Sequence, residues 1–346
     1  MRINEELAQE IAERIMKEIP YNVNIMNEKG IIIGSGNSDR IGELHNGAVA
    51  AIKNKKMVTV YESSEVGQPG VNIPITFQNR IVGVVGISGD PEIVKPLGSI
   101  VKVTVELLIN QNALNTERQI KERLKTDFLF QWTMRATPYD KEFINHGNAV
   151  EIDVLTPRFA LVIKGKVIKE FNILSSGEYA LPLNEDSYIY LLKDGKNLHS
   201  FLPKILKEEN IYAGVGKIEP IISKSIQQAL RMIKISIKMN WDHPIIYYEQ
   251  HEMIDRLLQS NLEVSEIVAK FDELAKSEKG SDLIETLKYY IELSGNINDI
   301  ANKLHIHRNS LNYRLERIET TFNLNPRKYE NLLSLYLGLI FYLCGD

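Results

Sequence analysis

The stretch "GNINDIANKLHIHRNSLNYRLERIETTF", residues 295–322, decides how the C-terminal part of the chain is built. Gly295 stops a preceding periodic helix that begins near Asp282, with Glu285 in the place of a capping-box partner. Asn298 suits the N-cap of a short second helix, with Asp299 beside its positive end. A third helix is expected from about His307 to Thr320. Leu311, Leu315 and Ile318 recur on one face of it, Ile300, Leu304 and Ile306 supply facing apolar positions, and small Ala301 lies where the two helices cross. Two helices joined by about three residues predict a helix-turn-helix.

On that reading the apolar stripe packs inward, and Arg308, Asn309, Ser310, Asn312, Tyr313 and Arg314 face outward, with Arg317 beyond them and His307 at the cap. These types suit nucleic acid: Arg pairs with guanine, Asn with adenine, and Ser or Tyr with phosphates or base edges. His305 falls where such turns need left-handed backbone. His305 and His307 stand too close within a turn for i,i+4 metal ligation, and no Cys or carboxylate pair completes a site, so no metal is expected. From Lys303 to Arg317, Lys303, Arg308, Arg314 and Arg317 face one anion, Glu316, a local +3 on a chain of formal net charge −4. An acidic body carries a basic head.

The remaining composition sets bounds. A chain of 346 residues exceeds what a single core usually holds, so two or three domains are expected. An apolar share of 44% and a charged share of 25% are those of a folded globular protein. The lone Cys344 excludes an intramolecular disulfide framework and a Cys-based zinc cage, which fits a reducing, cytoplasmic setting. "MRINEELAQEIAERIMKEIP" alternates charged and apolar residues and lacks a signal-peptide core. "LLSLYLGLIFYLC", residues 332–344, falls short of the roughly 20 residues that span a bilayer and reads as a buried helix, so no membrane partner is expected.

Toward the N-terminus, Ile3, Leu7, Ile11 and Ile15 predict a helix over residues 1–18, followed by two strands turning at Glu28-Lys29-Gly30. "GELHNGAVAAIKNKK" predicts a helix beginning near Ile41, and "KMVTVYE", "VNIPITFQ" and "RIVGVVGIS" predict three strands, the last two joined at Gln78-Asn79-Arg80. This element order is PAS-like. From Asp90-Pro91 a long helix follows, with Val94, Leu97, Val101, Val105 and Leu108 as one stripe that suits either core packing or pairing with a second copy. A second α/β region follows. In it "RFALVIKG", "SYIYLLK", "IYAGVGK" and "PIIYYE" are strand-like, and helices are expected around residues 196–209 and 223–236. Gly214 and Gly216 make no dinucleotide fingerprint, and no phosphate loop occurs.

The helix-turn-helix and the segment after it resemble the C-terminal domain of the PucR/CdaR group of bacterial regulators. "IPYNVNIMNEKGIIIGSGNSDRIGELHNGA" and "GQPGVNIPITFQNRIVGVVGISGDPEIVKPLGSIVKVTVELLINQ" resemble the sugar-diacid recognition domain of the carbohydrate diacid regulators, and the middle region is similar to their GGDEF-like domain. The resemblance implies a multidomain α/β plus all-α chain: a sensor over 1–134 with a long connecting helix, a degenerate GGDEF-like domain over 135–252, and a helix-turn-helix domain over 253–346. It implies a homo-oligomeric transcription regulator, often an activator, that binds double-stranded DNA and responds to glucarate, galactarate or glycerate. Within the matching motif, Ser35, Arg40, His45 and Asn72 are the candidate effector residues. Arg40 suits a carboxylate, free N–H groups of the helix near Ile41 suit the same anion, and Asn72 suits hydroxyls. The middle region lacks the Gly-Gly-Asp/Glu-Glu-Phe signature a cyclase needs. No cofactor is implied. Two other readings compete: an enzyme acting on a hydroxy acid through Arg40 and His45, for which no second catalytic group is found, and a protein–protein signalling adaptor.

Overall fold

The computed structural model describes residues 3–63, 68–165, 174–193, 195, 198, 211–241 and 243–345. Two compact units divide the chain, residues 1–123 and 124–346.

In the first unit the elements run α1 (Glu5–Met16), β1 (Val23–Asn27), β2 (Ile32–Ser35), a 3-10 turn at Ser38–Arg40, α2 (Asn46–Asn54), β3 (Val58–Val60), β4 (Gly70–Phe77), β5 (Arg80–Ser88) and α3 (Pro91–Met134). The order is the expected one. Gly30 at φ 81, and Gln78 and Asn79 at φ 49 and 61, make the two hairpin turns, the second with the mirror-image twist that antiparallel strands favour. The sheet order is β2-β1-β5-β4-β3, antiparallel throughout. Alternation along the strands gives the sheet two faces. On one, Val23, Ile25, Val71, Ile73, Val85 and Ile87 pack against Ala8, Ile11, Ala12 and Ile15 of α1 and Val94, Val101, Val105 and Ile109 of α3. A Cβ at Gly34 would stand 2.5 Å from the Ala8 backbone, so glycine there lets α1 lie directly on β2. On the other face Met26, Ile32 and Val84 pack against Ala48 and Ala51 of α2.

One expectation needs correcting here, and one open alternative is decided. Helix α2 begins at Asn46 rather than near Ile41, because Ser38–Arg40 closes its own short turn and His45 caps the longer helix. The anticipated α3 stripe faces its own sheet: Val94, Val101 and Val105 are buried, and Leu97 and Leu108 are half-buried. Glu106 ties α3 down further, accepting from the N–H (2.7 Å) and hydroxyl (2.6 Å) of Thr76.

The second unit takes in the C-terminal end of α3, where Phe128 and Trp132 enter its core. Then follow α4 (Lys141–Ala149), β6 (Phe159–Lys164), β7 (Tyr179–Asn184), β8 (Ser187–Leu192), β9 (Tyr212–Val215), α5 (Ile222–Met239) and β10 (Ile245–Tyr247). The strands order β10-β9-β6-β8-β7, all antiparallel except β9 with β10. The four expected strands are present. β7 was not anticipated, because Pro182 interrupts it; proline is tolerated on this edge strand, where the register shifts after it. The helix expected over residues 196–209 falls almost entirely outside the described residues. Gly214 and Gly216 serve packing: a Cβ would come within 2.0 and 2.1 Å of the Ala229 and Ser225 carbonyls of α5.

Six helices complete the unit: α6 (Tyr248–Leu258), α7 (Ser265–Ala275), α8 (Gly280–Glu292), α9 (Ile297–Lys303), α10 (Arg308–Phe322) and α11 (Tyr329–Cys344). Phe271, Leu287, Ile300, Leu311, Leu315, Ile318, Phe322, Leu335 and Leu339 share one core. Among the described residues no helix is long and apolar enough to cross a membrane. Helix α8 starts at Gly280 without a side-chain cap, so the expected capping box at Asp282 and Glu285 does not form. The N-cap of α9 is Asn296, not Asn298; its side chain accepts from the N–H groups of Asn298 and Asp299.

Candidate effector site and nucleic-acid interface

A row of directly paired positions crosses the α2 face of the first sheet. Asn72 on β4 pairs with Val58 on β3 and Gly86 on β5, Gly86 pairs with Asn24 on β1, and Asn24 pairs with Ser35 on β2. Two buried asparagines and a buried serine therefore share one lane in a sheet whose other buried residues are apolar or glycine. At one end the lane is satisfied: the Ser35 hydroxyl donates to Asn24 Oδ1 at 2.6 Å and accepts from the Asn37 N–H at 3.0 Å. At the other end it is not. Asn72 Oδ1 is buried, and among the described residues it has no hydrogen-bond partner.

His45 lies beside Asn72. A Cβ at Gly47 would stand 2.6 Å from Asn72 Nδ2 and 3.1 Å from His45 Cε1, so a side chain there would push both groups away. The His45 Nδ1 accepts from the Ala48 N–H at 3.3 Å, capping α2. Burial, and after it the charge of Arg40, hold the His45 pKa below its ordinary value. Arg40 closes the 3-10 turn and holds Glu43 at 3.5 Å with its side chain partly exposed. His45 thus neighbours Asn72 on one side and feels the charge of Arg40 on the other, while Ser35 is committed to the far end of the lane. Asn24, Gly47 and Gly86 went unrecognised in the sequence. The repeated tripeptide Val-Asn-Ile, at 23–25 and 71–73, carried the signal: both asparagines fall in the same row.

In the second unit, Leu311, Leu315, Ile318 and Phe322 pin α10 to the core. His305 is left-handed at φ 54, and His307 caps α10, its Nδ1 accepting from the Asn309 N–H at 3.2 Å. His307, Arg308, Asn309, Ser310, Tyr313 and Arg317 are exposed, and Asn309, Ser310, Tyr313 and Arg317 line an open groove with Lys279. Arg314 and Asn312 are half-buried and already partnered, although Arg314 lines the same groove. Arg314 bonds Asp282 Oδ2 at 2.7 Å and Thr286 Oγ1 at 3.2 Å, fastening α10 to α8. Asn312 accepts from Arg327 at 3.0 Å and ties α10 to the loop before α11. Among the described residues no three His, Cys, Asp or Glu side chains are grouped to hold a metal.

Residues 3–132 match the family of sugar diacid recognition domains, and residues 283–341 match the PucR C-terminal helix-turn-helix domain. The chain carries a sugar diacid recognition domain and a PucR-type C-terminal helix-turn-helix domain. An uncharacterized protein of Haemophilus influenzae is 28% identical to the regulator over 98% of this chain and 99% of its own. The carbohydrate diacid regulator of Escherichia coli is 24% identical over 97% of both chains. The DNA-binding transcriptional activator AdeR of Bacillus subtilis is 25% identical over 37% of this chain and 32% of its own. The protein is a transcriptional regulator with a sugar diacid recognition domain and a DNA-binding head, and not an enzyme.

Proposed function

We propose that the regulator is a transcription activator, acting as a homodimer or higher homo-oligomer and switched by a small sugar diacid or hydroxy acid such as glucarate, galactarate or glycerate. The buried, unpartnered Asn72 Oδ1 carries this reading, since such an acceptor costs about 1–3 kcal/mol until something donates to it. A ligand hydroxyl donates to Asn72, a carboxylate takes Arg40 from Glu43 by two parallel bonds, and His45 borders the same space. Ser35, through Asn24, holds the lane in position. At the other end, His307, Arg308, Asn309, Ser310, Tyr313 and Arg317 contact double-stranded DNA, while Arg314 and Asn312 set the pose of the helix that carries them.

The domain division that goes with this function is a PAS-like sensor over 1–134, a GGDEF-like middle domain over 135–252 and the helix-turn-helix domain over 253–346. The apolar clusters of the first sheet, the second sheet and the last helices support it, with a further cluster of Met232, Ile235, Met239, Ile340 and Cys344 joining the last two. The name of the Bacillus relative supports activation. A thermal-shift series with glucarate, galactarate and glycerate tests the effector. At a hundredfold its dissociation constant a ligand adds about 2.7 kcal/mol to stability. A shift in the intact protein that disappears in Asn72→Leu supports the site, and no shift with any of the three acids rejects this effector class.

A further inference from the structure

Helix α3 carries a second apolar stripe that its own sheet leaves uncovered. Ile93, Ile100, Val103, Leu107, Leu114, Ile120 and Leu124 are each half to two-thirds exposed. Ile93, Ile100, Leu107 and Leu114 recur every seven residues, and Val103 and Leu124 fall at the intervening position of the same heptad. The stripe runs beside the buried one formed by Val94, Val101 and Val105, so a single helix presents one face to its sheet and another to solvent.

We infer that this stripe is the interface with a second copy of the chain, paired parallel and in register along α3. The seven-residue repeat at Ile93, Ile100, Leu107 and Leu114, with Pro96, Asn110 and Glu117 interrupting its second apolar position, is complementary to another helix with the same repeat, and this chain supplies one. Ile93 to Leu124 spans about 46 Å of helix. Pairing its exposed side chains with their copies covers roughly 1,500 Å², close to the ~1,600 Å² of a standard stable interface. The polar residues of the seam fix the orientation. Asn110 and Glu117 take the heptad position of Val103 and Leu124, and Lys121 takes that of Leu114. In a parallel, in-register pair Asn110 meets Asn110 and each apolar layer meets an apolar one, while the like-charge layers of Glu117 and Lys121 are adjacent and each offsets the other. In an antiparallel pair of the same length, Asn110 faces Leu107 and Glu117 faces Ile100, burying polar groups against apolar ones at a cost. The inference rests on the regulator reading for its purpose, since two reading heads match a two-fold operator, but its surface stands on α3 alone.

Light scattering on the full chain, paired with oxidative cross-linking of Asn110→Cys, tests it. The expected results are a two-chain mass for the unaltered protein, a one-chain mass for Leu107→Glu/Leu114→Glu with unchanged circular dichroism, and rapid disulfide-linked dimer from Asn110→Cys. Cys344 does not compete, being buried with its thiol pushed up to about 11. A one-chain mass for the unaltered protein overturns the inference, as does a two-chain mass that survives the double substitution. If the double substitution loses its circular dichroism, the cross-link decides: a dimer without the Asn110→Cys disulfide overturns the parallel register. Loss of DNA binding with the dimer intact counts against the regulator reading and leaves the seam standing.

Discussion

Asp255 and Asn72 are both buried polar side chains, one in each unit, and they are treated in opposite ways. Asp255 is fully provided for: Arg231 Nε donates to one oxygen at 2.6 Å, and the Tyr248 hydroxyl donates to the other at 2.9 Å. That bond, added to burial, pushes the Tyr248 hydroxyl up to about 12. Asn72 is walled in between Gly47 and Gly86 with its oxygen unanswered. A satisfied buried group holds a fold together, whereas an unsatisfied one costs stability.

The largest expected effect lies on the satisfied side. Asp255→Ala leaves the buried Tyr248 hydroxyl without its acceptor and releases Arg231, itself one-third exposed, and destabilises the protein by about 1–3 kcal/mol, readable as a lower urea midpoint. Asn72→Leu is expected to move the other way: unfolding free energy unchanged or higher by up to about 2 kcal/mol, together with loss of the diacid-induced thermal shift. A strong destabilisation by Asn72→Leu would erase the distinction between the two residues.

The same contrast divides the arginines of α10. Arg314, fastened to α8, is a positioning residue. Arg314→Ala is expected to lower stability by about 1 kcal/mol, a modest figure because Asp282 is half exposed. It should also weaken DNA binding without altering its salt dependence. Arg308→Ala and Arg317→Ala should leave stability unchanged and each reduce the slope of log affinity against log salt by about 1. Binding titrations at several salt concentrations separate the two patterns.

The smallest effect concerns His45. Its folded pKa is depressed, so its contribution is complete above the unfolded value of about 6.5 and is lost as pH falls through the lower folded value. Protonation at Nδ1 removes the acceptor for the Ala48 N–H, worth about 1 kcal/mol of capping. The melting temperature is expected to drop by a few degrees between pH 7 and pH 5, and His45→Asn, which caps without titrating in that range, should flatten the drop.

Most of the first unit was legible because its strands alternate and its turns carry Gly30 and Gln78-Asn79, local signals that survive folding. The helix-turn-helix was legible for the same reason, through Leu311, Leu315 and Ile318. The partner of Arg314 was not. Asp282 lies 32 residues away, and its promising place near a helix start disguised it as part of a capping box. The α3 seam was hidden for a different reason. Two apolar stripes interleave on that helix, and only burial distinguishes the one that meets the sheet from the one that does not. Within the lane, Asn24 looked like an ordinary strand residue until register set it in line with Asn72.

The central claim is that a small acid at the Asn72 lane changes how α10 meets DNA. The most direct test is the affinity of the full chain for the DNA upstream of its own coding sequence, measured by fluorescence anisotropy at fixed salt with and without saturating effector. A several-fold change in the unaltered protein that vanishes in Asn72→Leu, with effector-free affinity preserved, is the predicted result. An equal effector response in both proteins would contradict the account.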